Sequence, residues 1–141
     1  MKRVGVIVCT HGGLATSLVD TAEEVFGPLE HIAAVALSAR ATHEELERQL
    51  STAVSRVDRG SGVLALVDIL GGTPSNLALR LSCERRLEVV AGVNLPMLFK
   101  AVEGQSRDLR GLAETVREAG ARHIVLATTG QAEGSTLPKI S

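Results

Sequence analysis

The chain has no surplus of charge of one sign, no apolar run long enough for a membrane span and no cysteine pattern. It carries 15 Lys and Arg against 16 Asp and Glu, for a formal charge of -1, with the two signs interspersed. That excludes the electrostatic footprint of a nucleic-acid binder or of a protein held on an anionic membrane. No stretch approaches the roughly 18 consecutive apolar residues of a spanning helix, so direct membrane insertion is not expected. The apolar run in "MKRVGVIVCT" is too short for a signal peptide, and no small-residue cleavage site follows it before the His-Gly-Gly turn. Cys9 and Cys83 have no CxxC spacing and read as reduced core thiols, as in a cytoplasmic protein. Neither G-x-x-x-x-G-K-[ST] nor G-x-G-x-x-G occurs, which speaks against nucleotide use. An esterase would lack its nucleophile elbow, because G-x-S-x-G is also absent. His31, His43 and His123 have no ligand spacing among themselves or to His11, so neither a metal nor another cofactor is expected.

With 141 residues and 45% hydrophobic content, the chain suits one domain, placed at residues 1–130, followed by a loose tail "QAEGSTLPKIS" at 131–141. Five short apolar runs recur: "VGVIVC" (4–9), "HIAAVAL" (31–37), "VLALV" (63–67), "LEVVAGV" (87–93) and "HIVLAT" (123–128). They are continuous rather than alternating, as strands covered on both faces would be. Between them, Leu14, Leu18, Ala22 and Val25 keep helical spacing, as do Leu46, Leu50, Ala53 and Val57. Thr42 with Glu45 predicts a capping box, Thr73-Pro74 an N-cap with proline in the first turn, and Gly120 a C-terminal cap. The order β-α-β-α-β-α-β-α-β predicts an α/β fold of three layers, a largely parallel five-stranded sheet with helices on both faces.

In open sheets of this class, ligands bind beyond the carboxyl ends of the strands where strand order reverses. For an order 2-1-3-4, His11 at the tip of strand 1 and Asp68 at the tip of strand 3 share that crevice. "DILGGTPSN" (68–76) then opens a helix, and "HGGLATS" does the same after strand 1. Glycines admit close backbone approach, and a helix start supplies amides and a positive dipole end, so each is an anion site. The expected constellation is a nucleophilic His11 whose far nitrogen donates to Asp68, with phosphate contacts at Gly12, Gly72, Thr73 and, less directly, Ser75. Phosphoryl transfer asks mainly for positioning and charge stabilisation, and these groups supply both. Taken singly, each feature has a plainer explanation: a hydrogen-bonded loop histidine, a turn-forming aspartate, a common loop-to-helix signal. Cys9 next to His11 could suggest a thiol-imidazole pair, but its place inside strand 1 favours burial.

With "THGGLATSL", "VDILGGTPSNLA" and "VAGVNLPML" in this order and spacing, the chain resembles the IIA component of the mannose/fructose-type sugar phosphotransferase system, from about Val4 to about Thr128. The resemblance implies that His11 takes a phosphoryl group from the carrier protein HPr and passes it to a histidine of a IIB partner. From there it reaches a sugar entering through membrane components IIC and IID. It also implies that Asp68 is bonded to the imidazole, that Thr73 is the hydroxyl residue of the Gly-Gly-Thr/Ser-Pro loop, and that the protein is a homodimer. Its last strand, "HIVLAT", would be an antiparallel edge strand open to exchange between subunits. Leu70 departs from the aromatic residue frequent before the paired glycines, and no linker to a IIB domain follows, so the acceptor is expected to be a separate polypeptide. A branch serving dihydroxyacetone kinases shares the fold, but "GGTP" and "NLPML" look more like the sugar-transport branch. Two other roles fit the same residues: a regulatory sensor or binding module reporting phosphorylation of His11, and a small-ligand binder without covalent chemistry.

Overall fold

A computed structural model describes residues 3–128. The elements run β1 (Gly5–His11), α1 (Leu14–Phe26), β2 (Ile32–Leu37), α2 (His43–Val57), β3 (Val63–Val67), α3 (Thr73–Ser82), β4 (Leu87–Ala91), α4 (Leu95–Glu103) and α5 (Leu109–Arg122). The four strands pair in parallel in the order β2-β1-β3-β4.

The continuous apolar runs are explained by burial on both faces of the sheet. Val6, Val8, Leu64 and Leu66 point into one core with α1, α4 and α5, while Ile7, Cys9, Val63, Ala65 and Val67 point into the other with α2 and α3. Each fully buried Val, Leu or Ile contributes roughly 1.5–3 kcal/mol against leaving it exposed. The chain runs outward from β1 to β2, then back across β1 to β3, so α1 and α3 leave neighbouring strand tips toward opposite faces. The crevice between those tips is the switch point. The last β1–β3 pair is Cys9 with Val67, which leaves His11 projecting two residues past it and Asp68 as the first residue beyond β3.

Several expectations are corrected. Among the described residues the sheet has four parallel strands, not five with an antiparallel edge strand. Residues 124–126 of "HIVLAT" are irregular, with Ile124 and Leu126 79% and 71% exposed. A strand needs a neighbouring ladder for its amides; here the Ile124 N–H turns back to the Ala121 carbonyl and finishes α5 instead. The N-cap of α3 is Gly72, and Thr73 is the first helical residue. Gly120 lies within α5, which ends on His123; at Gly120 an added Cβ would stand 2.5 Å from Met97 Cγ, so the glycine sets the approach of α5 to α4. Cys83 is exposed rather than a core thiol. The capping box is present, with Thr42 and Glu45 each accepting the other's backbone N–H. The tail at 131–141 lies outside the described residues.

Candidate active site

The site is built from two loops. At the end of β1, Thr10 is buried; its hydroxyl accepts the Ala15 N–H at 2.8 Å and donates to the His11 carbonyl at 3.1 Å. The turn is fixed to the start of α1 by that bridge. Gly12 follows with φ +54°, which returns the chain into α1 directly after His11. Nothing in the sequence reading singled out Thr10, although a threonine just ahead of a glycine turn and a helix is a recognisable capping signal.

The Asp68 carboxylate meets His11 twice through one oxygen. Oδ2 accepts the His11 backbone N–H at 3.0 Å and lies 2.8 Å from Nδ1 of the ring, while Oδ1 accepts the Ile69 N–H at 2.9 Å. Burial by itself would push the carboxyl up. The His11 amide, the His11 ring, the Ile69 amide and the charge of the imidazole together outweigh that and hold Asp68 below the usual carboxylate range. With Nδ1 directed to the carboxylate, Nε2 is the nitrogen presented outward, on a side chain 56% exposed.

Gly72 lies against that outward face. A Cβ there would stand 2.8 Å from Cε1 and 3.3 Å from Nε2, so only a glycine lets the start of α3 come this near the ring. The opening amides of a helix have no intrahelical partner, and its positive dipole end favours an anion on Nε2. Thr73 and Pro74 line the same cleft as His11, Gly12 and Gly13, an opening of about 770 Å³ that extends to Ala36–Ala39, Ala41, His43 and Leu46.

His11, Asp68, Gly12, Gly72 and Thr73 are thus brought together. Ser75 sits differently: it is fully buried, its hydroxyl accepting the Gly71 N–H and donating to the Gly72 carbonyl, so it ties the loop to the helix. Burial, with a smaller contribution from the Asp68 charge, pushes the Cys9 thiol up to about 12, which leaves it no thiolate to pair with His11. Elsewhere, the His31 ring accepts from Arg59, His43 pairs with Glu47, and the His123 ring lies 2.8 Å from the Ala119 carbonyl. Among the described residues no group of three or more His, Cys, Asp or Glu side chains is arranged to hold a metal.

Residues 5–119 match the family described as PTS system fructose IIA component. The PTS system mannose-specific EIIAB component of Escherichia coli strain K12 is 33% identical over 106 residues, covering 74% of this chain and 33% of that protein, so the chain spans about a third of that relative's length. The PTS system fructose-specific EIIA component of Bacillus subtilis is 32% identical over 100 residues, 70% of this chain and 68% of that one. A solved structure of the mannose/sorbose-specific IIA subunit of the phosphotransferase system from Enterococcus faecalis superposes with a TM-score of 0.82 at 25% identity, covering 100% of both chains.

Proposed function

The chain belongs to the PTS system fructose IIA component family, and from that footing we propose that it is a phosphocarrier of a sugar phosphotransferase system, working through a phosphohistidine at His11. The observation that carries this is the 2.8 Å contact between Nδ1 and Asp68, with Nε2 at the mouth of α3. A neutral imidazole held this way keeps its proton on Nδ1 and offers the Nε2 lone pair. Nε2 attacks the phosphorus of phospho-HPr, the donor's N–P bond breaks, and the leaving imidazole takes back that electron pair. The phosphorylated ring is cationic with its proton still facing Asp68, so no proton has to move. The amides at the start of α3, the Thr73 hydroxyl and the backbone at Gly12 stabilise the phosphoryl oxygens. Ser75 contributes by shaping the loop.

The second half-reaction repeats the first in reverse, with a histidine of a IIB component as acceptor and the sugar entering through IIC and IID. A surface-exposed ring suits protein partners of this kind. Apolar Leu14, Ile69 and Leu70 beside it are 46%, 60% and 68% exposed and provide a dry rim against which a partner can close. The protein works in the cytoplasm as a homodimer, with residues 1–130 as its phosphocarrier domain. Among the described residues no helix is long and apolar enough to cross a membrane.

Incubation with radiolabelled phospho-HPr tests the proposal. Label is expected on the wild type, stable in base and labile in acid as a phosphoramidate is, and then chased by IIB. A chain that takes no label from phospho-HPr contradicts it.

A further inference from the structure

A second imidazole faces the cleft that holds His11. His43 opens α2 and lines the wall formed by the β2–α2 connection. Its Nε2 lies 3.2 Å from Oε1 of Glu47, one helical turn further on, and Glu47 is paired in turn with Arg80 of α3. A carboxylate holding one nitrogen of a ring repeats, on this wall, the arrangement of Asp68 and His11. Because Arg80 offsets its charge, Glu47 can orient the ring without setting a net negative charge against an incoming anion. With Nε2 turned to Glu47, Nδ1 is the nitrogen left to address the cleft.

We propose that His43 is a second contact for the phosphoryl group in transit, donating Nδ1–H to a phosphoryl oxygen as the group passes to or from Nε2 of His11. The proposal rests on the reading of His11 as the carrier. In an in-line transfer the incoming and outgoing nitrogens lie on opposite sides of phosphorus, and three oxygens project sideways from that axis. The start of α3 lies against the His11 ring, and His43 lines the same cleft as His11 and Thr73. Donor and acceptor both approach Nε2 through this opening, so the contact serves both half-reactions. His43 takes no covalent part; only the N–P bonds to His11 and to the partner form and break.

Single-turnover transfer from radiolabelled phospho-HPr over a range of donor concentrations tests this on the wild type and three variants. His43→Ala lowers the saturating rate about tenfold with little change in the concentration giving half that rate, the signature of a lost contact to developing charge. His43→Lys, which places a cationic N–H donor there, returns to within about threefold of wild type, whereas the uncharged His43→Asn does not. Because His43 is 59% exposed, the three variants are expected to melt like the wild type. An undiminished His43→Ala rate, a loss confined to donor affinity, or equal rates for the Asn and Lys variants would overturn the proposal. An unlabelled wild type would overturn the carrier reading beneath it, whereas a labelled wild type with an undiminished Ala variant overturns only the role of His43.

Discussion

At the scale of single residues, the proposed transfer turns on which nitrogen of His11 faces Asp68. Asp68→Asn keeps a similar shape but removes the charge that balances the phosphorylated ring. It should leave the fold intact and slow phosphoryl uptake roughly 10- to 100-fold; stopped-flow or rapid-quench transfer measures this, and unchanged kinetics would make the carboxylate incidental. The same residue gives a pH prediction. Its folded-state carboxyl is held below the usual value of about 3.9, so on acidification the unfolded chain binds the proton first. The stability that Asp68 contributes is therefore complete above about pH 4 and lost as pH falls through the lowered folded value. Denaturant titrations should give a wild-type advantage over Asp68→Asn that is flat near neutrality and narrows in acid. Gly72 has ordinary φ (-83°), so Gly72→Ala costs no backbone strain; its methyl simply displaces the ring. Transfer should fall on the order of tenfold to a hundredfold, since displacement of about 1 Å can cost that much, and the His11 ring signals should shift in NMR spectra. The pairing of His11 with Asp68 was legible because two strand tips and two glycine-rich turns all pointed to one crevice. The part played by Ser75 was not, because a hydroxyl in a helix's first turn can serve a bound anion or its own loop equally well, and only burial decides between them.

At the scale of elements, strands β1 to β4 were legible in continuous apolar runs, and α2 in its stripe and capping box. Helix α1 was legible as a helix but its buried face was displaced: Ala15, Val19 and Ala22 are buried, whereas Leu14 and Val25 are 46% and 40% exposed. Helix α4 escaped the pattern because its nine residues, most of them apolar, are shorter than the stretch over which a helical period is read. Its "NLPML" start has a structural explanation. Asn94 caps α4 by accepting the Met97 N–H at 3.0 Å, and its side-chain N–H donates to the Gly120 carbonyl at 3.2 Å, clamping α4 to α5. Asn94→Ala should therefore cost about 1–3 kcal/mol in denaturant unfolding while leaving the rate of phosphoryl transfer within twofold of wild type. A large loss of transfer with full stability would place Asn94 in the chemistry instead.

At the scale of the whole molecule, the order β2-β1-β3-β4 makes the site, since no local motif could bring residues 57 positions apart into contact at 2.8 Å. The parallel sheet was legible from the alternation of elements and the rule of crossovers, whereas the order 2-1-3-4 was an assumption, and the sheet has that order for β1 to β4. The expected fifth strand is absent among the described residues, because an edge strand is defined by its neighbour and not by its own composition. If Ile124, Val125 and Leu126 complete a sheet in a second copy, sedimentation will give a dimer for the full chain and a monomer for a chain ended after Arg122. A full-length monomer would contradict the homodimer. The central claim is the covalent one, and labelling by phospho-HPr of the wild type beside His11→Ala addresses it most directly. The wild type should carry one acid-labile phosphoryl group per chain and His11→Ala none; equal labelling of the two would show that the phosphoryl group resides elsewhere.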